Sequence, residues 1–216
     1  MNFDEIINRK NTHSAKWDMM EELFGVPRNT GIPMWVADMD FRPPKCISDS
    51  IKKMHDHGVY GYFGDDKDYL KSITWWMKNR HNWNIDPSWI FTTHGLVNGT
   101  SMAIQTYSDP GDGIVLFTPV YYVFFRQIKE GGREVLECPL VNNNDHYELD
   151  FEYYDSLMKG NEKVLVLSSP HNPGGRVWTK KELKEIASFA QKHDLIIVSD
   201  EIHNDLIMPG YKHIPM

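Results

Sequence analysis

The sequence predicts an α/β fold, a mainly parallel β-sheet covered by helices. From about residue 89 onward, short apolar runs alternate with stretches of helical period. Strand–helix–strand repetition of this kind argues for parallel strands joined by right-handed crossovers. Four of the runs are nearly continuous in apolar residues rather than alternating with polar ones, as strands covered on both faces are.

The elements follow in chain order. Ser14 to Phe24 reads as a helix and leads through Pro- and Gly-punctuated coil into PMWVADMDF. Asp66 to Asn82 reads as an amphipathic helix, with Leu70, Ile73, Trp76 and Met77 at helical spacing. WIFTT (Trp89 to Thr93) reads as a short strand, and Leu96 to Tyr107 as a helix. GIVLF is a strand, Tyr121 to Glu130 a helix and REVLECPL a strand. Phe151 to Lys159 is a helix, KVLVLSS a strand, Lys180 to His193 a helix and LIIVSD a strand. No internal repeat and no low-complexity segment interrupts the series.

The bulk numbers narrow the function classes. With 216 residues, 41% hydrophobic and 25% charged, the chain has ordinary globular composition and length for one large domain or one and a half. A net charge of -7 argues against nucleic-acid or acidic-membrane partners, which select basic surfaces. A small anionic ligand is still compatible, since it needs only a local positive site. Two cysteines, Cys46 and Cys138, cannot build a disulfide framework and fit a reducing cytoplasm. The N-terminus lacks an apolar core of signal-peptide type, and no apolar run is long enough to suggest a membrane span. The sequon at Asn98 to Thr100 reads as a chance match.

In parallel sheets ligands sit outside the carboxyl ends of the strands, so the residues just past each strand are the candidates. THGLVNGT places Gly95 before a helix whose first N–H groups, at Leu96 and Val97, lack helical partners and suit an anion. A plain turn explains that stretch equally well, and no G-x-G-x-x-G fingerprint follows the strand. TPVYY offers Tyr121, whose ring either faces a flat ligand or plugs the sheet end. In SSPHNPGGR the Pro and Gly residues stiffen the backbone. They leave Asn172 with an amide free to donate, while His171 reads as structural or solvent-facing. DEIH puts Asp200, Glu201 and His203 at one strand end, as metal ligands, as an acid facing a cationic heterocycle, or as acids in water. The metal reading ranks low, because no H-x-x-x-H or cysteine pattern accompanies it.

Together these stretches resemble the fold-type-I family of pyridoxal-phosphate (PLP) enzymes, the aspartate-aminotransferase superfamily. Within it the likeness is to the MalY/PatB-type C–S β-lyases. PMWVADMDF (Pro33 to Phe41), YGYF, RHNW, TPVY, SSPHNPGGRVW, SDEIH and GYKHIPM resemble that group's signatures in the same order, from about Phe3 to the last residue. The resemblance implies a PLP-transferase-like large domain with a mainly parallel sheet. It divides the chain into an N-terminal arm and small-domain segment over 1–45 and the first part of the PLP-binding domain over 46–216.

The resemblance also assigns roles. Asp200 pairs with the pyridine nitrogen of PLP, Asn172 donates to its phenolic oxygen, and Tyr121 stacks on the ring. The N–H groups of Gly95, Leu96 and Val97 hold the phosphate, and His203 lies near the phenolic oxygen. Tyr62 reaches the phosphate of a neighbouring subunit's cofactor, which implies a homodimer with shared sites. Ala37 and, more weakly, Tyr60 line the pocket for an amino-acid substrate. The family's Schiff-base lysine follows GYKHIPM and is expected after Met216. Lys212 belongs to that segment and is not promoted to the role, so the chain reads as a fragment of a longer enzyme or as a truncated product. The implied activity is β-elimination of an S-substituted cysteine to thiol, pyruvate and ammonia. An aminotransferase, a regulatory module on the same fold and a metal-dependent hydrolase are the rivals.

Overall fold

A computed structural model describes residues 2–216. Two compact units divide the chain, Met1–Gly64 and Asp65–Met216.

In the first unit the expected helix over Ser14 to Phe24 is broken at Met19 into α1 (Ala15–Asp18) and α2 (Met20–Phe24). Ser14 caps the first piece by accepting from the Trp17 amide, and Gly25 ends the second in the left-handed conformation. A third helix, α3 (Lys45–His57), is absent from the sequence reading. Ile47, Ile51 and Met54 line one side of it, but none of its residues is buried.

A charged knot holds PMWVADMDF against α1. Arg9 donates to Asp38 and, at 2.7 Å, to Asp40 Oδ1. Lys16 Nζ donates to Asp40 Oδ2 at 2.7 Å, and Trp17 Nε1 to Asp40 Oδ1 at 2.8 Å. The Lys16 ammonium, then Trp17 and Arg9, hold the Asp40 carboxyl down to about 2, from 3.8. A carboxyl depressed on folding stabilises the unit fully above its unfolded pKa and loses that contribution as pH falls through the folded one. The window is therefore about pH 4 down to about pH 2. The side chain is 34% exposed, so solvent screening reduces the contribution to about 1 kcal/mol. Asp40→Asn is expected to flatten this part of the acid-unfolding curve, followed by tryptophan fluorescence. An unchanged curve would contradict the pairing.

The second unit is the α/β layer. Helix α4 (Lys67–His81) lies between Asp66 and the left-handed Asn82, within a residue of its expected ends. Helix α5 occupies Leu96–Tyr107, as expected. The predicted strand at Trp89 to Thr93 does not form. Pro87–Trp89 makes a single 3-10 turn, and Ile90 onward runs as unpaired coil with Phe91 86% exposed. A strand exists only through its ladder bonds, and among the described residues none pairs with this segment.

After α5 come β1 (Gly113–Thr118), α6 (Val123–Glu130) and β2 (Glu134–Pro139). A small antiparallel hairpin follows, β3 (Val141–Asn143) and β4 (His146–Glu148), which the sequence reading lacks. It turns on Asn144 and Asp145, both at positive φ. Then come α7 (Phe151–Leu157), β5 (Glu162–Ser168), α8 (Lys180–Lys192) and β6 (Ile196–Asp200). A capping box between Thr179 and Glu182 starts α8.

The four long strands are parallel, in the order β2-β1-β5-β6. The chain first steps outward from β1 to β2, then returns to the other side of β1 for β5 and β6. Its direction reverses between β1 and β5, and that reversal is the switch point at which doubly wound sheets bind ligands. The helices lie on opposite faces of the sheet. Ile104 of α5 and Phe124 and Ile128 of α6 pack with Ile114, Leu116, Val164 and Val166 on one face. Leu183, Ile186, Phe189 and Ala190 of α8 pack with Val115, Phe117, Leu165 and Leu167 on the other. The expectation of central strands covered on both sides holds for β1 and β5, whereas the edge strands β2 and β6 are partly open. Among the described residues no helix is long and apolar enough to cross a membrane.

Candidate functional site

Strand periodicity decides what each residue of SDEIH faces. Side chains alternate along a strand. Val198 packs with the α5/α6 layer and Ile197 with the α8 layer. Asp200, two residues past Val198, therefore faces the α5/α6 side, and Glu201 faces the other. The register places Asp200 beside Ser168 at the end of β5. Asp200 Oδ1 accepts from the Ile202 amide at 3.1 Å.

The helix N-terminus comes to the same edge. Gln127 of α6 donates to the Val97 carbonyl and, at 2.8 Å, to Ser101 Oγ. Arg133, just past the end of α6, donates at 3.1 Å to Ser108 at the end of α5. The two helices thus run side by side in the same direction, and α6 begins where β1 ends. Leu96 and Val97 accordingly open α5 at the carboxyl edge of the sheet. Gly95 caps α5 with φ +85, a conformation side chains resist, and nothing lies within 4 Å of where a Cβ would stand.

Tyr121 stands between these groups. It lies edge-on to Phe124 at 5.5 Å and packs on the α5/α6 layer. Partial burial raises its hydroxyl pKa, and Tyr122 and Asp200 push it in the same direction.

The loop after β5 supplies Asn172. The Asn172 amide donates to Ser168 Oγ at 3.1 Å, while its side chain is half-buried and makes no hydrogen bond among the described residues. His171 beside it is buried and structural. Its Nδ1 accepts from the Gly174 amide at 3.2 Å, so Nε2 carries the proton toward the Phe117 carbonyl at 3.4 Å. Burial first, and then Arg176, lower its pKa, and the ring is neutral at pH 7. Gly174 permits this approach, because a Cβ there would meet His171 Nδ1 at 2.7 Å. Trp178 Nε1 donates to the Ser168 carbonyl at 2.9 Å and closes the loop onto the strand.

Asp200, Tyr121, Asn172 and the Gly95–Val97 amides thus share one edge of the sheet. His203 is half-buried in the turn after β6, where its carbonyl accepts from Leu206. Ala37, Tyr60 and Tyr62 belong to the first unit, Tyr60 and Tyr62 in the coil after α3 and largely exposed. Glu201 is not aligned with Asp200 and His203 as a third ligand. It accepts from Ser199 and the Met216 amide and lies against His213. The sequence reading does not contain that last contact. Alternation along IIVSDE signals that Glu201 turns away from Asp200, but nothing in the spacing signals its partner.

A parallel sheet with a switch point carries a carboxylate at one strand tip and a glycine-opened helix N-terminus at the same edge. The chain belongs to the aminotransferase class I and II family, whose model matches residues 32–214. It is 41% identical over 216 residues to cystathionine beta-lyase PatB of Bacillus subtilis (strain 168), a match covering 100% of this chain and 55% of that protein. Cystalysin from Treponema denticola, whose crystal structure contains a pyridoxal 5'-phosphate cofactor, superposes with a TM-score of 0.93. Its identity is 43%, over 99% of this chain and 55% of cystalysin. The PLP-bound C–S lyase from Staphylococcus hominis superposes with a TM-score of 0.89 at 31% identity, over 100% of this chain and 55% of that one. The chain therefore spans about half the length of the relatives it matches.

Proposed function

We propose that this chain forms the PLP-binding part of a C–S β-lyase that eliminates a thiol from S-substituted cysteines such as cystathionine. The observation that carries the reading is the shared edge of Asp200, Tyr121, Asn172 and the N-terminus of α5. The residues fit PLP: an acid for a ring nitrogen, an aromatic face, a side-chain amide with no partner among the described residues, and open space at Gly95 beside the first N–H groups of α5, at Leu96 and Val97. When bound, PLP supplies an electron-withdrawing ring that accepts the electron pair released at the substrate's α-carbon.

Each residue then has one task. Asp200 holds a proton on the ring nitrogen, since a carboxylate favours the charged form of a nearby base. Leu96 and Val97 bind the phosphate through backbone N–H groups and the helix dipole, an effect of about 0.3–1 kcal/mol, up to ~2 where partly buried; the Gly95 N–H, expected to join them, instead donates to the Thr93 carbonyl at 2.9 Å. Asn172 donates to the phenolic oxygen, with His203 beside it, and Tyr121 excludes water from the ring face. Lys212 is exposed and is not assigned the removal of the α-proton. Tyr62, open to solvent, fits the phosphate of a second copy's cofactor, and Ala37 and Tyr60 fit the substrate pocket. The protein acts as a cytoplasmic homodimer in this reading, in keeping with its two free cysteines.

The deciding experiment incubates the complete gene product with PLP and cystathionine. Cystathionine and water are expected to yield homocysteine, pyruvate and ammonia with no keto-acid acceptor present. Dependence on an acceptor would instead make the protein an aminotransferase. An intact cofactor spectrum without turnover would make it a binding module.

A further inference from the structure

We infer that Glu201 and His213 form a positioning pair that fixes the direction of Asp200, an inference resting on the reading of Asp200 given above. Glu201 Oε1 accepts from Ser199 Oγ and from the Met216 amide, each at 2.9 Å, and Oε2 lies 2.9 Å from His213 Nε2. The two side chains are 15% and 2% exposed. The His213 ring meets His81 of α4 edge-on at 5.5 Å. His81 Nε2 is 3.2 Å from Asp205 Oδ1, close enough for attraction but off the line of a hydrogen bond. Asp205 in turn accepts from Trp76 Nε1 at 2.9 Å and lies 3.5 Å from Arg80 Nε. Helix α4, the turn after β6 and the tail thus converge on the strand end from the side away from the crevice.

Asp200 needs this support. Among the described residues it ends a strand whose ladder partner is β5, and its Oδ1 accepts from the Ile202 amide of the following turn. Small rotations of the backbone there would swing the carboxylate. Because consecutive side chains point oppositely along a strand, anchoring Glu201 on the far face also anchors Asp200 on the near one. A buried acid–imidazole contact is a weak source of net stability, since desolvating the two groups offsets much of their attraction. Its place directly behind the strand-tip acid therefore fits a geometric role.

The test loads the complete gene product with PLP carrying an isotope label at the ring nitrogen. It reads PLP affinity, ring-nitrogen chemical shift and thermal stability. Glu201→Ala and His213→Ala are each expected to weaken PLP binding by about tenfold, the scale of effect known for residues that orient a ligating group. Each should move the ring signal toward the unprotonated form, and the double variant should add little beyond either alone. Asp155→Ala is the control. It breaks a second acid–imidazole contact, Asp155 Oδ1 to His193 Nε2 at 2.7 Å, ahead of the opposite end of β6. It should lower stability without moving the ring signal. If the alanine variants do not fold, Glu201→Gln, which keeps shape and an acceptor, is read in their place. An unmoved ring signal in folded Glu201 variants, or an equal movement in Asp155→Ala, overturns the pair. Should Asp200→Asn itself leave the signal unmoved, the failure lies with the underlying reading of Asp200.

Discussion

Asp200→Asn in the complete gene product is expected to lower turnover on cystathionine by roughly 10²–10³-fold while PLP still binds. Opposite charges about 4 Å apart attract by roughly 4 kcal/mol at an effective dielectric near 20. That energy equals about three pKa units on the ring nitrogen. An amide of the same shape supplies the hydrogen bond without the charge, so the ring sheds its proton and loses its pull on the α-carbon electrons. Single-turnover kinetics beside an absorbance titration of PLP separates the two effects. Rates near those of the parent would remove Asp200 from the role, and loss of binding in step with rate would make it an anchor only.

Arg176→Ala carries the largest expected effect on stability. The guanidinium is buried, donates to the Tyr147 carbonyl of β4 and to Glu182 Oε1 at 2.5 Å, and lies 4.8 Å over the Trp178 ring. Burial pushes the Glu182 carboxyl up, yet the Thr179 amide and Arg176 hold it below the usual range. Truncation would leave that carboxylate and a carbonyl unmatched, at about 3 kcal/mol or more, which lowers Tm by on the order of 10 °C in a domain of this size. Arg176→Lys should recover only part, because a compact ammonium lacks the planar fork that spans the two acceptors and lies over the Trp178 ring. Calorimetry on the two variants decides it, and an alanine variant melting with the parent would contradict the account. The loop carrying Asn172 lies between Ser168 and Arg176, so the same variant should also loosen PLP binding.

Elements whose residues face a buried layer are legible in the sequence. The runs GIVLF, KVLVLSS and LIIVSD all become strands, and Gly95 marks the start of α5 to the residue. WIFTT carries the same apolar pattern and does not become a strand, because composition cannot say whether a ladder partner exists. Helix α3 shows the reverse: Pro44 before it, Gly58 after it and Ile47, Ile51 and Met54 between are ordinary helix signals. The polar residues among them hide the pattern. The hairpin at 141–148 is too short for alternation to speak. At the candidate site, Asp200, Tyr121 and Asn172 can be named because the parallel-sheet rule points to strand ends. Glu201's anchorage to His213 cannot, since eleven residues of turn and coil separate them and only the fold brings them together.

Asp200, the last residue of β6, and Glu201 just past it point to opposite faces of one sheet. A single residue inserted or deleted between Ile196 and Ser199 would exchange them, since a one-step slip inverts every side chain along a strand. Helices, ladder and overall architecture could survive such a change. The longer acid would then meet the ligand and the shorter one the histidine, leaving a well-folded molecule whose reactive edge is wired backwards.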